Sequence, residues 1–156
     1  MTIEILLKLY LPFNRGKGVN LMSECIFCQI IRKEAPASII YEDEKVVAFL
    51  SNRPVNVGHT LIAPKKHYQN IYEIPEDEAA YLFKKVKKIA QAVKDATGIE
   101  GIRIVQNNGE DAGQVVFHIH VHVIPMKPSG QLLHEHDARA AELLNGDAEK
   151  IRQHLQ

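Results

Sequence analysis

Residues 117–124 read FHIHVHVI, and this regular alternation of polar and apolar residues predicts a β-strand. Side chains of a strand point alternately to its two faces, so His118, His120 and His122 are expected on one face. The apolar residues between them are expected on the other face, inside a hydrophobic core. The chain must therefore fold around a sheet that carries three imidazoles in a row.

Three adjacent histidines on one strand face need a chemical reason. A polar face in solvent would not explain why all three positions are histidine. Neutral imidazole is a common zinc ligand, so a three-histidine metal site is one interpretation of the pattern. Binding of an anion is the other interpretation, and the triad alone leaves both open.

The composition of the chain fits one globular domain. It has 156 residues, of which 46% are hydrophobic, which is enough for one core and too few for two full domains. Its 19 Lys and Arg residues balance 19 Asp and Glu residues, so the net charge says nothing about a nucleic-acid or other acidic partner. We expect no nucleic-acid partner. The lysine run at residues 84–88 falls mostly outside the apolar stripe of a predicted helix, which favours a solvated face.

Hydrophobic periodicity distinguishes strands from helices along the chain. Apolar residues recur at three- and four-residue steps between Pro75 and Gly98, which predicts one long helix closed by the glycine. A short helix is predicted at 24–34, and strands are predicted at 39–41, 46–50, 60–63, 102–106 and 115–124. Hairpin-joined strands with one long inserted helix indicate an α+β fold with an antiparallel sheet.

The N-terminal residues 1–21 are interpreted as a flexible extension. Their apolar run at 3–11 contains one Glu and one Lys, stops at Pro12 and is too short to span a membrane. The run also lacks the layout of a signal peptide. We therefore expect no membrane partner.

The rest of the chain divides into a domain at 22–126 and a C-terminal tail at 127–156. The tail is more polar, and two short helices are predicted in it, at 137–144 and 148–155. The residues Asn-Gly-Asp at 145–147 are expected to separate these two helices.

Two cysteines, Cys25 and Cys28, lie at Cys-x-x-Cys spacing. A small secreted domain held by disulfides normally carries several pairs, so this single pair favours a reducing, cytoplasmic location. The spacing is typical of a metal site or a redox pair, and no βαβ pattern surrounds it to favour a thioredoxin-like redox role. A pair of reduced thiols without a metal stays open as an alternative.

The triad segment resembles the signature of the histidine-triad (HIT) family, His-φ-His-φ-His-φ-φ with φ apolar, at every position. Further segments resemble family landmarks in family order: CIFC at 25–28, YEDE at 41–44, GHTL at 58–61, PKKH at 64–67, NNG at 107–109 and AGQ at 112–114. Together these landmarks extend over about residues 24–125. The series is far more specific than a lone His-x-His-x-His motif.

The resemblance implies a fold and an assembly. The family fold is a five-stranded antiparallel sheet with two helices, and a partly helical C-terminal tail would follow it here. Family dimers join two sheets edge to edge, so a homodimer is expected. Such pairing would also cover an otherwise exposed strand edge.

The resemblance also implies a chemistry for the triad. His120 would attack the α-phosphate of a nucleotide and form a nucleotidyl-histidine intermediate, while a backbone carbonyl holds its other ring nitrogen. His122 would donate to a non-bridging phosphate oxygen, and His59 would support the triad. Further phosphate contacts are expected from a loop that contains Asn107, Gly113, Gln114 and Val115.

Two departures from the commoner family pattern concern the substrate. The Hint branch usually has an aspartate that holds the ribose hydroxyls, where this chain has Ser51 followed by Asn52. The run LSNRP at 50–54 is closer to the fragile-histidine-triad branch, which cleaves dinucleoside polyphosphates. A Ser or Thr usually follows the glycine–glutamine pair, where this chain has Val115, so only the backbone amide can meet phosphate.

Zinc-bearing family members bind the metal through the Cys-x-x-Cys pair, the histidine after the Pro-Lys segment and the first triad histidine. Those positions in this chain are Cys25, Cys28, His67 and His118. The resemblance therefore implies a structural, tetrahedral Cys₂His₂ Zn²⁺ site.

The predicted function is hydrolysis or nucleotidyl transfer at the α-phosphate of a purine nucleotide conjugate. The substrate would be a dinucleoside polyphosphate or a nucleoside phosphoramidate. One alternative is a nucleotide-binding or scaffolding module without catalysis, whose tail beyond Pro125 would bind a partner. The other is a metalloenzyme that holds one metal with all three triad histidines.

Overall fold

Within residues 25–127 and 138–155, which the computed structural model describes, five antiparallel strands form one sheet and three helices pack against it. The helices are α1 (Ile26–Ile31), α2 (Glu76–Thr97) and α3 (Ala141–Arg152), and the strands are β1 (Ile39–Glu42), β2 (Val46–Leu50), β3 (Thr60–Pro64), β4 (Gly101–Val105) and β5 (Val121–Met126). The predicted α+β class and five-stranded sheet are confirmed. The predicted extension at 1–21 and residues 128–137 of the predicted tail lie outside the described residues.

The strand order β1-β2-β3-β5-β4 places β5 between β3 and β4. In the β3–β5 pair, Leu61 lies opposite His122 and Thr60 lies opposite Val123. Because His59 precedes β3 directly, this register brings it beside the end of the triad. The pairing of two strands far apart in sequence thus assembles the histidines.

The two faces of the sheet have different coverings. On one face, α2 and α3 cover a core into which Ile119, Val121 and Val123 point, and all three are fully buried. The predicted alternation of the triad segment is thereby confirmed. The opposite face carries the histidines and a smaller apolar cluster beneath α1, formed by Phe27, Ile30, Val47, Phe49, Leu61 and Ala63.

Helix α2 agrees closely with the prediction. It begins at Glu76, directly after Pro75, and its first turn contains three acidic residues that suit the positive end of the helix dipole. Gly98 ends it in the left-handed conformation, with φ of 67°, and its N–H donates to Lys94 O. An L-residue adopts this conformation at a cost, which is why glycine is favoured there.

The predicted start of β5 was wrong. The prediction placed a strand at 115–124, whereas β5 extends from Val121 to Met126. Its partner β3 ends at Pro64, which has no N–H to continue the ladder. The amide of Ile119 instead donates to the carbonyl of Tyr68 at 2.8 Å. His118 and His120 therefore lie on an extended segment that leads into the strand.

The predicted interruption of the C-terminal helix was also wrong. One helix, Ala141–Arg152, continues through the Asn-Gly-Asp sequence at 145–147. Tertiary packing outweighs the weak local propensity of these residues, because the helix buries an apolar stripe in the main core, formed by Leu144, Ala148 and Ile151. None of the helices in the described parts of the chain is long and apolar enough to cross a membrane.

Candidate active site and metal centre

The middle histidine of the triad is held in one tautomer by the backbone. His120 is buried, and its Nδ1 lies 2.7 Å from the carbonyl oxygen of His118. A carbonyl only accepts, so Nδ1 carries the proton and Nε2 keeps its lone pair. The ring of Phe27 lies edge-on to His120, with 5.0 Å between centroids, and restricts its orientation.

The last histidine of the triad is held in the opposite tautomer by a relay. The amide of Val55 donates to His59 Nδ1 at 3.1 Å, so His59 carries its proton on Nε2. That Nε2–H donates to His122 Nδ1 at 2.9 Å. His122 Nδ1 therefore accepts, and its proton lies on Nε2. One residue of the triad thus offers a lone pair and another offers a donor.

Burial keeps these imidazoles uncharged near neutral pH. Desolvation, with a smaller contribution from the nearby His120, lowers the pKa of His59 to about 4. Desolvation, with smaller contributions from His120 and His59, lowers the pKa of His122 to about 3. Burial also lowers the pKa of His120, against the hydrogen bond to His118 O that raises it. The tautomers derived above are therefore the relevant states.

The four residues predicted to bind zinc lie together. The ligand atoms of Cys25, Cys28, His67 and His118 all lie within 4.8 Å of one another. The Sγ of Cys28 lies 3.4 Å from His67 Nδ1 and 3.6 Å from His118 Nδ1, and the Sγ of Cys25 lies 3.5 Å from His118 Nδ1. In a tetrahedral zinc site the S···N edge is about 3.6 Å, from Zn–S and Zn–N bonds of about 2.3 and 2.05 Å.

The protonation pattern of the cluster also fits a metal. His118 Nε2 lies 2.8 Å from the carbonyl of Pro64, so Nε2 is the donor and the Nδ1 lone pair points towards the two thiols. Burial, together with the neighbouring Cys25, raises the pKa of Cys28 to about 11. A dication among these atoms would reverse this preference and stabilise two thiolates.

His118 connects the metal centre to the candidate nucleophile. Its ring faces the cysteines, and its carbonyl oxygen holds His120 Nδ1. The three triad histidines point their nitrogens at different partners, so the arrangement does not form the three-histidine metal site considered from the sequence. Among the described residues, the cluster that could hold a metal contains one histidine of the triad, His118.

The predicted phosphate loop is ordered by its own side chains. Gln114 is buried, its Nε2 donates to Gln69 O at 2.6 Å, and its Oε1 accepts from the Gly109 amide at 2.8 Å. Asn107 Nδ2 lies 3.4 Å from Gly113 O. Val115 is 73% exposed. Gln114 thus shapes this loop with its side-chain amide.

The predicted ribose-binding residues begin the loop that ends at His59. The amide of Ser51 donates to His59 O at 2.9 Å, and Ser51 Oγ accepts from the Arg53 amide. The carbonyl of Asn52 accepts from the amide of Arg139 at 2.9 Å. The loop 51–59 therefore joins the ribose candidates to the relay that holds His122.

Sequence reasoning missed several residues that position the site. Val55 and Pro64 act through backbone groups, which leave no side-chain pattern to find. Asn56 is fully buried, its side-chain Nδ2 donates to the carbonyl of Pro125 at 2.8 Å, and its backbone carbonyl accepts from the His59 amide. A lone polar residue between apolar neighbours was the available signal for Asn56.

The histidine motif at 117–124, with His118 and His120 buried on one sheet face, is that of the histidine-triad class of proteins. This chain belongs to the HIT family: the family's HIT domain model matches residues 32–129. An uncharacterized HIT-like protein of Methanocaldococcus jannaschii is 52% identical over 101 residues, which span 65% of this chain and 78% of that protein. Adenylylsulfatase HINT3 of Arabidopsis thaliana is 36% identical over 141 residues, 87% of this chain and 72% of that protein.

Solved structures support the same assignment. A Hit-like protein of Bartonella henselae superimposes with a TM-score of 0.81 at 37% identity, covering 85% of this chain and 97% of that chain. A hypothetical histidine triad nucleotide-binding protein of Sulfolobus tokodaii gives 0.78 at 39% identity, with 84% and 91% covered. A Zn-bound histidine triad family protein of Mycobacterium smegmatis gives 0.77 at 33% identity, with 86% and 94% covered.

Proposed function

We propose that this protein is a hydrolase or nucleotidyl transferase that acts on purine nucleotide conjugates through a covalent intermediate on His120. The observation that carries the proposal is the pair of opposite tautomers. His120 presents a lone pair at Nε2 because Nδ1–H is bound to His118 O, and His122 presents a donor at Nε2 because Nδ1 accepts from His59. A nucleophile and a donor on one sheet face are what transfer at phosphorus requires.

In the first step, His120 Nε2 attacks the α-phosphorus and forms an N–P bond. The bond from phosphorus to the leaving group breaks, and the leaving group departs with the electron pair and takes up a proton. In the second step, the oxygen of a water attacks phosphorus, the N–P bond breaks and the nucleoside monophosphate is released. The water supplies one proton to solvent, and His120 regains its lone pair.

His122 acts on charge in this scheme. Negative charge on the non-bridging oxygens is stabilised by a donor that is already oriented, because little reorganisation is then needed during the reaction. The relay from Val55 through His59 provides this orientation in a buried setting. His59 is a positioning residue, since it acts through His122.

We also propose that Cys25, Cys28, His67 and His118 hold a structural Zn²⁺. Zinc would cross-link α1 to the segment before β5 and fix the thiols as thiolates. The distances within the cluster, the orientation of the His118 lone pair and the Zn-bound relative support this assignment. The same arrangement lets the centre steady the carbonyl that holds His120.

Two loops would contact the nucleotide, one after β2 and one at residues 107–115. Ser51 and Asn52 would contact the ribose, and Asn107, Gly113, Gln114 and Val115 would form the phosphate loop around His122. The Asn-Arg run after β2 favours dinucleoside polyphosphates, whereas the Arabidopsis relative is named an adenylylsulfatase. The cleaved bond is therefore an anhydride, a phosphoramidate or a sulfate–phosphate bond at an adenylyl group.

We propose a homodimer formed through β4. This strand is an edge of the sheet within the described residues, and Ile104 on it is 42% exposed. A second copy of the chain paired there would cover the open backbone groups. Sedimentation of the purified protein should give twice the mass of the chain, and Ile104→Lys should shift it to the monomer; a monomeric wild type would contradict this.

A turnover panel tests the proposed function. Purified protein is offered an AMP–lysine phosphoramidate, AMP-sulfate and diadenosine polyphosphates, with His120→Ala as the matched control for contaminating hydrolases. We expect AMP from at least one substrate, including the polyphosphates, and none from the control. Binding of AMP without turnover of any substrate would favour a non-catalytic nucleotide-binding module instead. Phosphoramidate cleavage without polyphosphate cleavage would overturn the polyphosphate assignment alone.

A further inference from the structure

The C-terminal segment contacts the loop that carries the ribose candidates. The amide of Arg139 donates to Asn52 O at 2.9 Å, and the guanidinium of Arg139 donates through Nε to Asp147 Oδ2 at 2.7 Å. We call these two contacts, among Asn52, Arg139 and Asp147, the C-terminal latch. The latch joins helix α3 to the loop 51–59.

The two charged side chains of the latch are mostly buried. The side chain of Asp147 is 11% exposed and that of Arg139 is 21% exposed. A carboxylate buried within a helix is costly unless a cation and hydrogen bonds compensate it. Ala140 at the start of α3 makes no side-chain cap, and the ion pair between Arg139 and Asp147 holds the residues that lead into the helix.

Helix α3 is itself a rigid anchor. Its apolar stripe belongs to the main core, and at its far end Arg152 Nη1 donates to the carbonyl of Ile39 at 2.7 Å. Ser38 Oγ also donates to Asn145 Oδ1 at 2.8 Å. Because the helix is held in place, Asp147 fixes the position of Arg139, and Arg139 in turn fixes that of Asn52.

The loop that the latch holds has two tasks in the proposed site. At its start lie Ser51 and Asn52, the ribose candidates. At its end lies His59, whose Nδ1 is bound by the Val55 amide from the middle of the loop. That second half is tied separately, because buried Asn56 donates to Pro125 O. The latch thus tethers the ribose half of the loop to helix α3.

We propose that Arg139 and Asp147 are specificity-determining positioning residues that set how this protein recognises the ribose of its nucleotide. This inference rests on the proposed function. Both residues lie beyond residues 32–129, the part that the HIT domain model matches. The latch places ribose recognition partly under the control of a segment outside the matched domain.

Calorimetric binding of AMP and 2′-deoxy-AMP tests the latch without relying on turnover. The wild type should prefer AMP by about tenfold, as expected for one or two neutral hydrogen bonds to the 2′-hydroxyl. Arg139→Ala should reduce this preference towards unity and leave the 2′-deoxy-AMP affinity within about twofold. Arg139→Lys, which keeps a cation near Asp147, should restore part of the preference.

Arg152→Ala is the matched control, since it also removes an arginine that anchors α3, here through contacts with Ile39 and Glu149. It should lower the melting temperature and leave the ribose preference unchanged. If Arg139→Ala does not fold, the volume-matched pair Arg139→Met with Asp147→Leu is measured in its place. Thermal melting of each variant checks that it is folded.

The outcomes separate the latch from the proposed function. A wild type that binds neither nucleotide overturns both. A wild type that binds AMP and 2′-deoxy-AMP equally leaves the nucleotide function standing and overturns the latch. Equal weakening of both nucleotides by Arg139→Ala, or an equal loss of preference in Arg152→Ala, shows a role in stability alone and also overturns it.

Discussion

Removal of His59 should slow the chemistry modestly and only through His122. His59→Ala deletes the 2.9 Å hydrogen bond that fixes the His122 tautomer. One neutral hydrogen bond is worth roughly 1 kcal/mol, or about a fivefold loss in kcat. His122→Ala removes the donor itself, and loss of one such donor typically costs about a hundredfold or more.

The double variant makes this reasoning testable. If His59 acts through His122, the combination His59→Ala with His122→Ala should be no slower than His122→Ala alone. Rates are measured under saturating adenylyl substrate, and His59→Phe controls for the cavity left at a buried position. A further fivefold loss in the double variant, or a His59→Ala rate below that of His122→Ala, would refute the relay.

Two further predictions concern the metal and pH. Cys25→Ser should lower the zinc content from about one per chain and reduce the melting temperature, because the metal site and the fold are linked; full activity and unchanged melting in metal-free protein would contradict this. Between pH 6.5 and about 4, unfolded chains take up a proton at His59 that the folded state excludes, so His59 should contribute about 3 kcal/mol to the fall in the free energy of unfolding as pH decreases. Denaturant titrations should show a smaller fall in His59→Phe, and an identical fall would show that His59 does not contribute.

The alternation of the triad segment was predictable because it depends on residues next to one another. Burial of Ile119, Val121 and Val123 follows from their spacing alone. The start of β5 was not predictable from the sequence, because it depends on where the partner strand β3 ends and on a hydrogen bond from the Ile119 amide to the Tyr68 carbonyl. Local pattern fixes the faces of a strand, whereas its ends depend on a neighbour remote in sequence.

The C-terminal helix was predicted as two short helices, but it is one continuous helix. The Asn-Gly-Asp run at 145–147 favours a turn in isolation. In the fold, Asp147 has Arg139 as a partner, and Asn145 accepts from Ser38. These contacts, with the buried apolar stripe of the helix, outweigh a propensity cost of about 1 kcal/mol for the glycine.

The candidate site was predictable where side chains carry the chemistry. The four proposed zinc ligands were found from spacing and resemblance, and the structure brings them within 4.8 Å. The groups that select the tautomers were not predictable, since the carbonyl of His118 and the amide of Val55 are backbone atoms. The roles of Ser51, Asn52 and the loop at 107–115 stay predictions.

Mass spectrometry of protein quenched during turnover tests the nucleophile directly. With a slowly hydrolysed adenylyl substrate, the wild type should gain the mass of one AMP on the peptide that contains residues 117–124, and the adduct should be labile in acid. His120→Ala should form no adduct and should retain AMP affinity within a few-fold, because it removes the covalent step and few binding contacts. Absence of the adduct from the wild type, together with normal turnover by His120→Ala, would contradict the assignment of His120 as the nucleophile.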